Sequence, residues 1–190
     1  LAIGEWDKNN VLKNVPNCSK FGKDWDRKSR IDMEEAEKCE EVIRNSEYIE
    51  FAVHGVLHWH YDNKMISKGP EFYIHNGGRL EFVGEDIARK HLDAFFEILE
   101  SWNFGKKIRS FVPPCFAYRF GELSKILYEY GVRYISTPFH SMDISGEKPL
   151  SCAVENGIIT VDRNHDSCSW YDHSVNPPEI VRNGFFGSHW

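Results

Sequence analysis

The sequence lacks any CxxC pair. Its five cysteines, Cys18, Cys39, Cys115, Cys152 and Cys168, are scattered and odd in number. A zinc ribbon and a dense disulfide framework are excluded, and reduced, half-buried thiols with at most one disulfide are expected. The odd count, with no charged-then-apolar signal segment at the start, favours a cytoplasmic over a secreted setting. No run of about 18 apolar residues is present, so no membrane-spanning helix is expected. Positive charge is also scarce: 23 Lys and Arg face 29 Asp and Glu, a formal net charge of −6. Without a basic excess or stripe, a nucleic-acid partner is not expected. There is no GxSxG elbow, no phosphate-cradling glycine loop, no internal repeat and no low-complexity segment.

What is present is a core. Hydrophobic residues make up 41% and aromatics 14% of 190 residues, which excludes a disordered chain and suits one domain spanning 1–190. Leu1-Ala2-Ile3-Gly4 reads as a short strand ending in the acidic Glu5-Trp6-Asp7, followed by a polar loop to about Arg30. Residues 32–45 read as a helix capped by Asp32, and 48–53 as a buried strand. His54 to Gly78 looks irregular, with Gly69-Pro70 and Gly77-Gly78 as breakers. The strongest helix is 85–102, where Ala88, Leu92, Phe95, Phe96, Leu99 and Trp102 recur at three- and four-residue steps. A strand over 107–112 ends at Pro113-Pro114. A helix over 121–130 closes at Gly131 and leads to a strand over 132–136. Strands over 150–154 and 158–161 flank the hairpin signal Asn156-Gly157. A short helix over 179–183 and an apolar strand over 185–189 complete the chain.

Strands alternating with helices predict parallel α/β connections, with reactive groups at the carboxyl ends of the strands. His54 and His58 follow the second expected strand, four residues apart. On a tight turn both imidazoles can aim at one point, and with a carboxylate they make a site for Zn²⁺ or a similar divalent ion. Gly55 lets the backbone turn sharply between them. Because the ligating rings must be neutral, affinity is expected to weaken as pH falls through about 6.5.

Four segments resemble the polysaccharide deacetylase family. Phe51-Ala52-Val53-His54-Gly55-Val56-Leu57-His58 is similar to its strand entering HxxxH. Phe111-Val112-Pro113-Pro114 is similar to its strand ending in a proline-bearing loop, and Ile126 to Tyr134 to its helix–Gly–strand unit. Phe186-Gly187-Ser188-His189-Trp190 is similar to its closing strand with a histidine. The order covers essentially the whole chain, and the HGxxH form is closer to a divergent branch. The resemblance implies a distorted, incomplete (β/α) barrel. It also implies a metal-dependent hydrolase that removes an acyl group, N-acetyl foremost, from a carbohydrate or related small molecule.

It further implies roles. His54, His58 and Asp7 would bind the metal, Glu5 would be the base, and His189 the acid. In the family two adjacent aspartates end the first strand; Glu5-Trp6-Asp7 departs from that spacing, so Asp7 is the alternative base. The family's orienting arginine is replaced in its neighbourhood by Val112 and Cys115, with Arg119 as another source. Trp59, Pro114, Phe116, Tyr118, Asp166 and Trp190 would contact substrate, with Tyr61 and Trp170 as further aromatic platforms; ordinary packing is the competing reading for these rings. Asp162 and Asp166 either orient His189 or belong to a polar turn. His60 is placed to line the site and His140 and Asp143 its rim, whereas His75, His91 and His173 read as solvated. A non-catalytic relative that binds a glycan or a protein partner is the alternative, and another metal hydrolase on an α/β barrel, such as an amidase, is the third.

Overall fold

The computed structural model describes residues 3–14, 33–61, 66–137, 153–162, 165–166 and 186–187. It is a mixed α/β structure built on a parallel-rich sheet. Helix α1 spans Val11–Asn14 and α2 Met33–Asn45. Strand β1 is Ala52–Val53, and after the HxxxH turn come β2 (Trp59–Tyr61) and β3 (Ile66–Pro70), an antiparallel pair. Strands β4 (Tyr73–Asn76) and β5 (Arg79–Phe82) form a hairpin. Helix α3 (Glu85–Trp102), β6 (Ser110–Phe111), α4 (Glu122–Glu129) and β7 (Tyr134–Thr137) follow. Then come β8 (Val154–Glu155), β9 (Ile158–Asp162), β10 (His165–Asp166) and β11 (Phe186–Gly187).

The main sheet runs β1-β6-β7-β9-β8. Its first three pairings are parallel, and only the β8–β9 hairpin is antiparallel. The chain passes from β1 to β6 through α3, and from β6 to β7 through α4. These are the crossovers that alternating periodicities require. Among the described residues the sheet does not close on itself. Helix α3 buries Ala88, Leu92, Ala94, Phe95, Ile98, Leu99 and Trp102, so its apolar stripe forms one wall of the core. The strands add Val53, Phe111, Ile135 and Ile158 to the same core, and α4 adds Leu123, Ile126 and Leu127. Asn156 (φ 49°) and Gly157 (φ 81°) are both left-handed, as a two-residue hairpin turn demands.

Two expected elements differ. Residues Ile3–Trp6 form a 3-10 helix rather than a strand. The Gly4 N–H bonds the Val56 carbonyl at 2.8 Å, so this segment docks on the turn after β1 without joining the sheet. Trp6 packs edge-on against Trp102 (5.5 Å) and Phe104 (6.3 Å), and the Trp102 indole N–H donates to the Trp6 carbonyl at 2.6 Å. Aromatic packing against α3 outweighs the strand preference of a four-residue apolar start. The second difference lies in 66–82, which is two hairpin strands and a third strand, not irregular chain. Gly77-Gly78 is its two-residue turn, with φ of 56° and 83°. No helix among the described residues is long and apolar enough to cross a membrane. Of the polar stretch to Arg30, residues 8–14 are described and contain the single helical turn α1; residues 15–30, the Asp32 cap and the expected helix over 179–183 lie outside the described residues.

Candidate functional site

Strands β1 and β6 are parallel neighbours, so their carboxyl ends lie side by side. His54 leaves β1, and Val112-Pro113-Pro114-Cys115 leaves β6. The His54 Nδ1–H donates to the Val112 carbonyl at 2.8 Å, which leaves Nε2 with its lone pair uncommitted to that bond. This backbone clamp is how metal-binding imidazoles are commonly oriented. Burial lowers the His54 pKa to about 4, against the partial support of the Val112 bond, so the ring is neutral at ordinary pH.

The HxxxH segment is a turn, not a helix. Gly55 (φ 77°) and His58 (φ 69°) are both left-handed, a conformation costly for any residue with a Cβ. It brings the His54 and His58 rings to 4.9 Å between centroids, edge to face. Two imidazoles sharing one ion at about 2.1 Å per bond would place their ring centres roughly 5 Å apart. The His58 Nε2 accepts the Cys115 N–H at 3.3 Å, and its Nδ1 lies 3.6 Å from the Cys115 sulfur. Cys115 (φ 53°) and Phe116 (φ 55°) are consecutive left-handed residues, so the loop after β6 is tightly folded where it meets His58. Burial pushes the Cys115 thiol up to about 11, which keeps it protonated and a poor nucleophile.

What holds the turn is Glu71, which follows β3. Its side chain is fully buried. Its carboxylate accepts the N–H of Val56 at 2.9 Å, of Leu57 at 3.1 Å and of His58 at 2.9 Å. His91 on α3 adds its Nδ1–H at 3.0 Å. Three successive amides aimed at one carboxylate make an anion nest, which offsets the cost of burying the charge. A Cβ on Gly55 would overlap this carboxylate, 2.8 Å from its Cδ, and would stand 3.2 Å from Cγ of Pro114. Here glycine is required by space as well as by φ. His91 is itself buried, stacked face to face on Tyr61 at 3.9 Å, with His60 stacked beyond it at 6.2 Å.

The sequence-predicted residues fall into three groups. His54, His58 and Pro114 come together, with Trp59 beside them: its half-exposed ring stands edge-on to His58 at 5.2 Å. Phe116, half-buried, belongs to the same loop as Cys115. Others are engaged elsewhere. Asp7 is buried and its two oxygens accept the N–H groups of Val11 (2.7 Å) and Leu12 (3.0 Å), capping α1. Tyr118 and Tyr61 are core residues; the Tyr118 hydroxyl donates to Glu155 at 3.3 Å and burial raises its pKa. The Arg119 guanidinium donates to the Leu80 carbonyl at 2.7 Å. His75 is exposed, as expected, but His91 is buried: it sits three residues after Ala88 and four before Phe95, on the apolar face of α3. Its position within that repeat is the signal that could have found it. Glu5 lies in the 3-10 helix, so a strand no longer sets it and Asp7 on one face. Asp162 ends β9, and Asp166 lies in β10, paired in parallel with β11 at Gly187. His189, Trp190, Trp170, His173, His140 and Asp143 lie outside the described residues.

Among the described residues, no three His, Cys, Asp or Glu side chains are grouped to hold a metal ion. The two imidazoles are nevertheless the donor type Zn²⁺ takes, the His54 ring is neutral and clamped, and the ring spacing is compatible with a shared ion, although both nitrogens of His58 are turned to Cys115 in this structure. Searched against known proteins, the chain matches no family model, no curated protein and no solved structure.

Proposed function

We propose that the chain is a metal-dependent hydrolase that removes an acyl group, N-acetyl foremost, from a carbohydrate or related small molecule, on a distorted, incomplete (β/α) barrel. One observation carries this reading: two imidazoles 4.9 Å apart, the first clamped through Nδ1 by a backbone carbonyl, at the carboxyl ends of adjacent parallel strands. His54 and His58 would hold the ion through their ring nitrogens, His58 releasing the long bond from Cys115. Asp7 is the proposed third ligand; in this structure its carboxylate caps α1, so it would have to exchange one of those bonds for the ion. When bound, a divalent ion supplies a water of lowered pKa and a polarised acyl carbonyl.

The remaining work falls to the chain's own groups. Glu5 is proposed to take the water's proton, and His189 to return a proton to the departing amine. His54 holds no proton on the nitrogen it offers, because Val112 fixes its tautomer. Trp59 stands edge-on to His58 and Phe116 follows Cys115 in the loop after β6; both are proposed to meet the apolar face of a sugar ring, with Asp166 and Trp190 as the proposed contacts from the last strands. Pro113-Pro114 stiffens the loop after β6. The experiment is acetate release from N-acetylated sugars by zinc-loaded protein, with metal stoichiometry measured alongside. His54→Ala/His58→Ala should lose both metal and turnover; stoichiometric zinc retained by the double variant would overturn the site. Zinc bound by the wild-type protein without hydrolysis of any acylated sugar would favour a glycan-binding relative instead.

A further inference from the structure

Glu71 belongs to neither the proposed ligands nor the proposed acid–base pair, yet its contacts converge on the turn that carries the ligands. Three peptide N–H groups meet its carboxylate, and all come from residues after Gly55 up to and including His58. Those are the residues that join the two histidines. The fourth donor, His91, comes from the middle of α3, the most regular element of the core. The turn is thereby referenced to α3 through a single side chain. Without that anchor, the left-handed backbone at His58 stands at a cost of about 1–2 kcal/mol for its β-carbon.

We propose that Glu71, clamped by His91, is the positioning residue of the metal site: it sets the turn that makes His54 and His58 converge and places a buried carboxylate behind them. Only a group with acceptors on both sides can serve. An amide of the same shape would aim an N–H₂ at one of the four donors, leaving donor against donor in a buried space. The buried carboxylate is also positioned to favour a cation over a neutral occupant of the site, because its field is poorly screened away from water. The inference rests on the proposed metal site, and the ion it concerns is the one held by His54 and His58.

The test is Zn²⁺ affinity by chelator competition, with the visible absorption of bound Co²⁺ as a report on ligand geometry and a denaturant midpoint as a report on fold. The proteins are wild type, Glu71→Gln and His91→Gln. Folded Glu71→Gln should bind Zn²⁺ about 10- to 100-fold more weakly, the range seen for groups that orient ligands. Its Co²⁺ bands should shift, which a purely structural role would not produce. Folded Glu71→Gln with wild-type affinity and an unchanged Co²⁺ spectrum overturns the inference. Should Glu71→Gln not fold, His91→Gln decides: it keeps the carboxylate and removes the ring clamp. It should weaken Zn²⁺ binding toward the lower end of the same range, and wild-type affinity there overturns the inference. Absence of zinc from the wild-type protein fails the metal site itself and this inference with it, a result distinct from equal binding by wild type and variant.

Discussion

Two residues apart on α3, Arg89 holds two carboxylates and His91 one, in opposite surroundings. Arg89 donates to Glu85 at 2.8 Å and to Glu129 at 2.7 Å, with a third of its side chain and more than half of each acid in solvent. His91 donates to Glu71 at 3.0 Å with both side chains fully buried. The bond lengths are nearly the same, but water can replace the first pair's bonds and cannot reach the second's. Geometry alone therefore does not rank these pairs; what happens when a partner is removed does.

The largest expected effect follows from emptying the buried side. Glu71→Ala leaves three amides and the His91 ring without their acceptor, and should lower folding stability by about 3–5 kcal/mol. Urea denaturation with an unchanged m-value would measure it. A loss under 1 kcal/mol would show that the turn finds other partners.

Next comes the His54 ring, half-buried beside this network. Its folded pKa of about 4 lies below the ordinary 6.5, so between those values the unfolded chain binds a proton that the native state refuses. Stability from this group is complete above about pH 6.5 and is lost as pH falls toward 4, by roughly 3 kcal/mol in all. His54→Gln should flatten that part of the stability–pH curve. The same shift moves proton competition at this ring below the pH of 6.5 expected for free imidazole. Zinc binding through His54 should therefore persist to lower pH than the spacing of two histidines alone suggests.

A smaller effect attends Gly55→Ala. The left-handed backbone costs about 1–2 kcal/mol, and displacing the Glu71 carboxylate costs about another 1 kcal/mol. A change under 0.5 kcal/mol would mean that the turn relaxes freely. The smallest effect belongs to the exposed pair. Arg89→Ala should leave the unfolding midpoint within error of wild type at physiological salt, and added salt should erase any difference. If Arg89→Ala instead proved as damaging as Glu71→Ala, burial would not be what separates the two pairs.

Periodic features were legible without coordinates. The 85–102 repeat, the Asn156-Gly157 turn and the strand entering His54 all reappear in the fold, because each depends on neighbours within a few residues. His54 and His58 were legible as a pair for the same reason. Glu71 was not, since its partners lie 13 to 20 residues away and a lone acid between Pro70 and Phe72 carries no periodic signal. The first segment misled for a related reason. Four apolar residues favour a strand in isolation, but Trp6 is drawn to Trp102, 96 residues along the chain. His91 reads as solvated if only its polarity is considered, and as core once its place in the α3 repeat is counted.

The way the HxxxH turn is assembled has a kinetic consequence. Its supports are Gly4 from one side of the chain and Glu71, His91, Val112 and Cys115 from the other. A nascent chain that has reached His58 has made both histidines and none of the four later groups that orient them. Each support must be brought in by closing a loop of 13 to 58 residues, and the entropy of those closures is paid before the strained backbone is stabilised. The turn should thus be among the last parts of the molecule to order, after α3 has docked. In a pulse-labelling refolding experiment, the amides of Val56, Leu57 and His58 should gain protection later than those in the middle of α3.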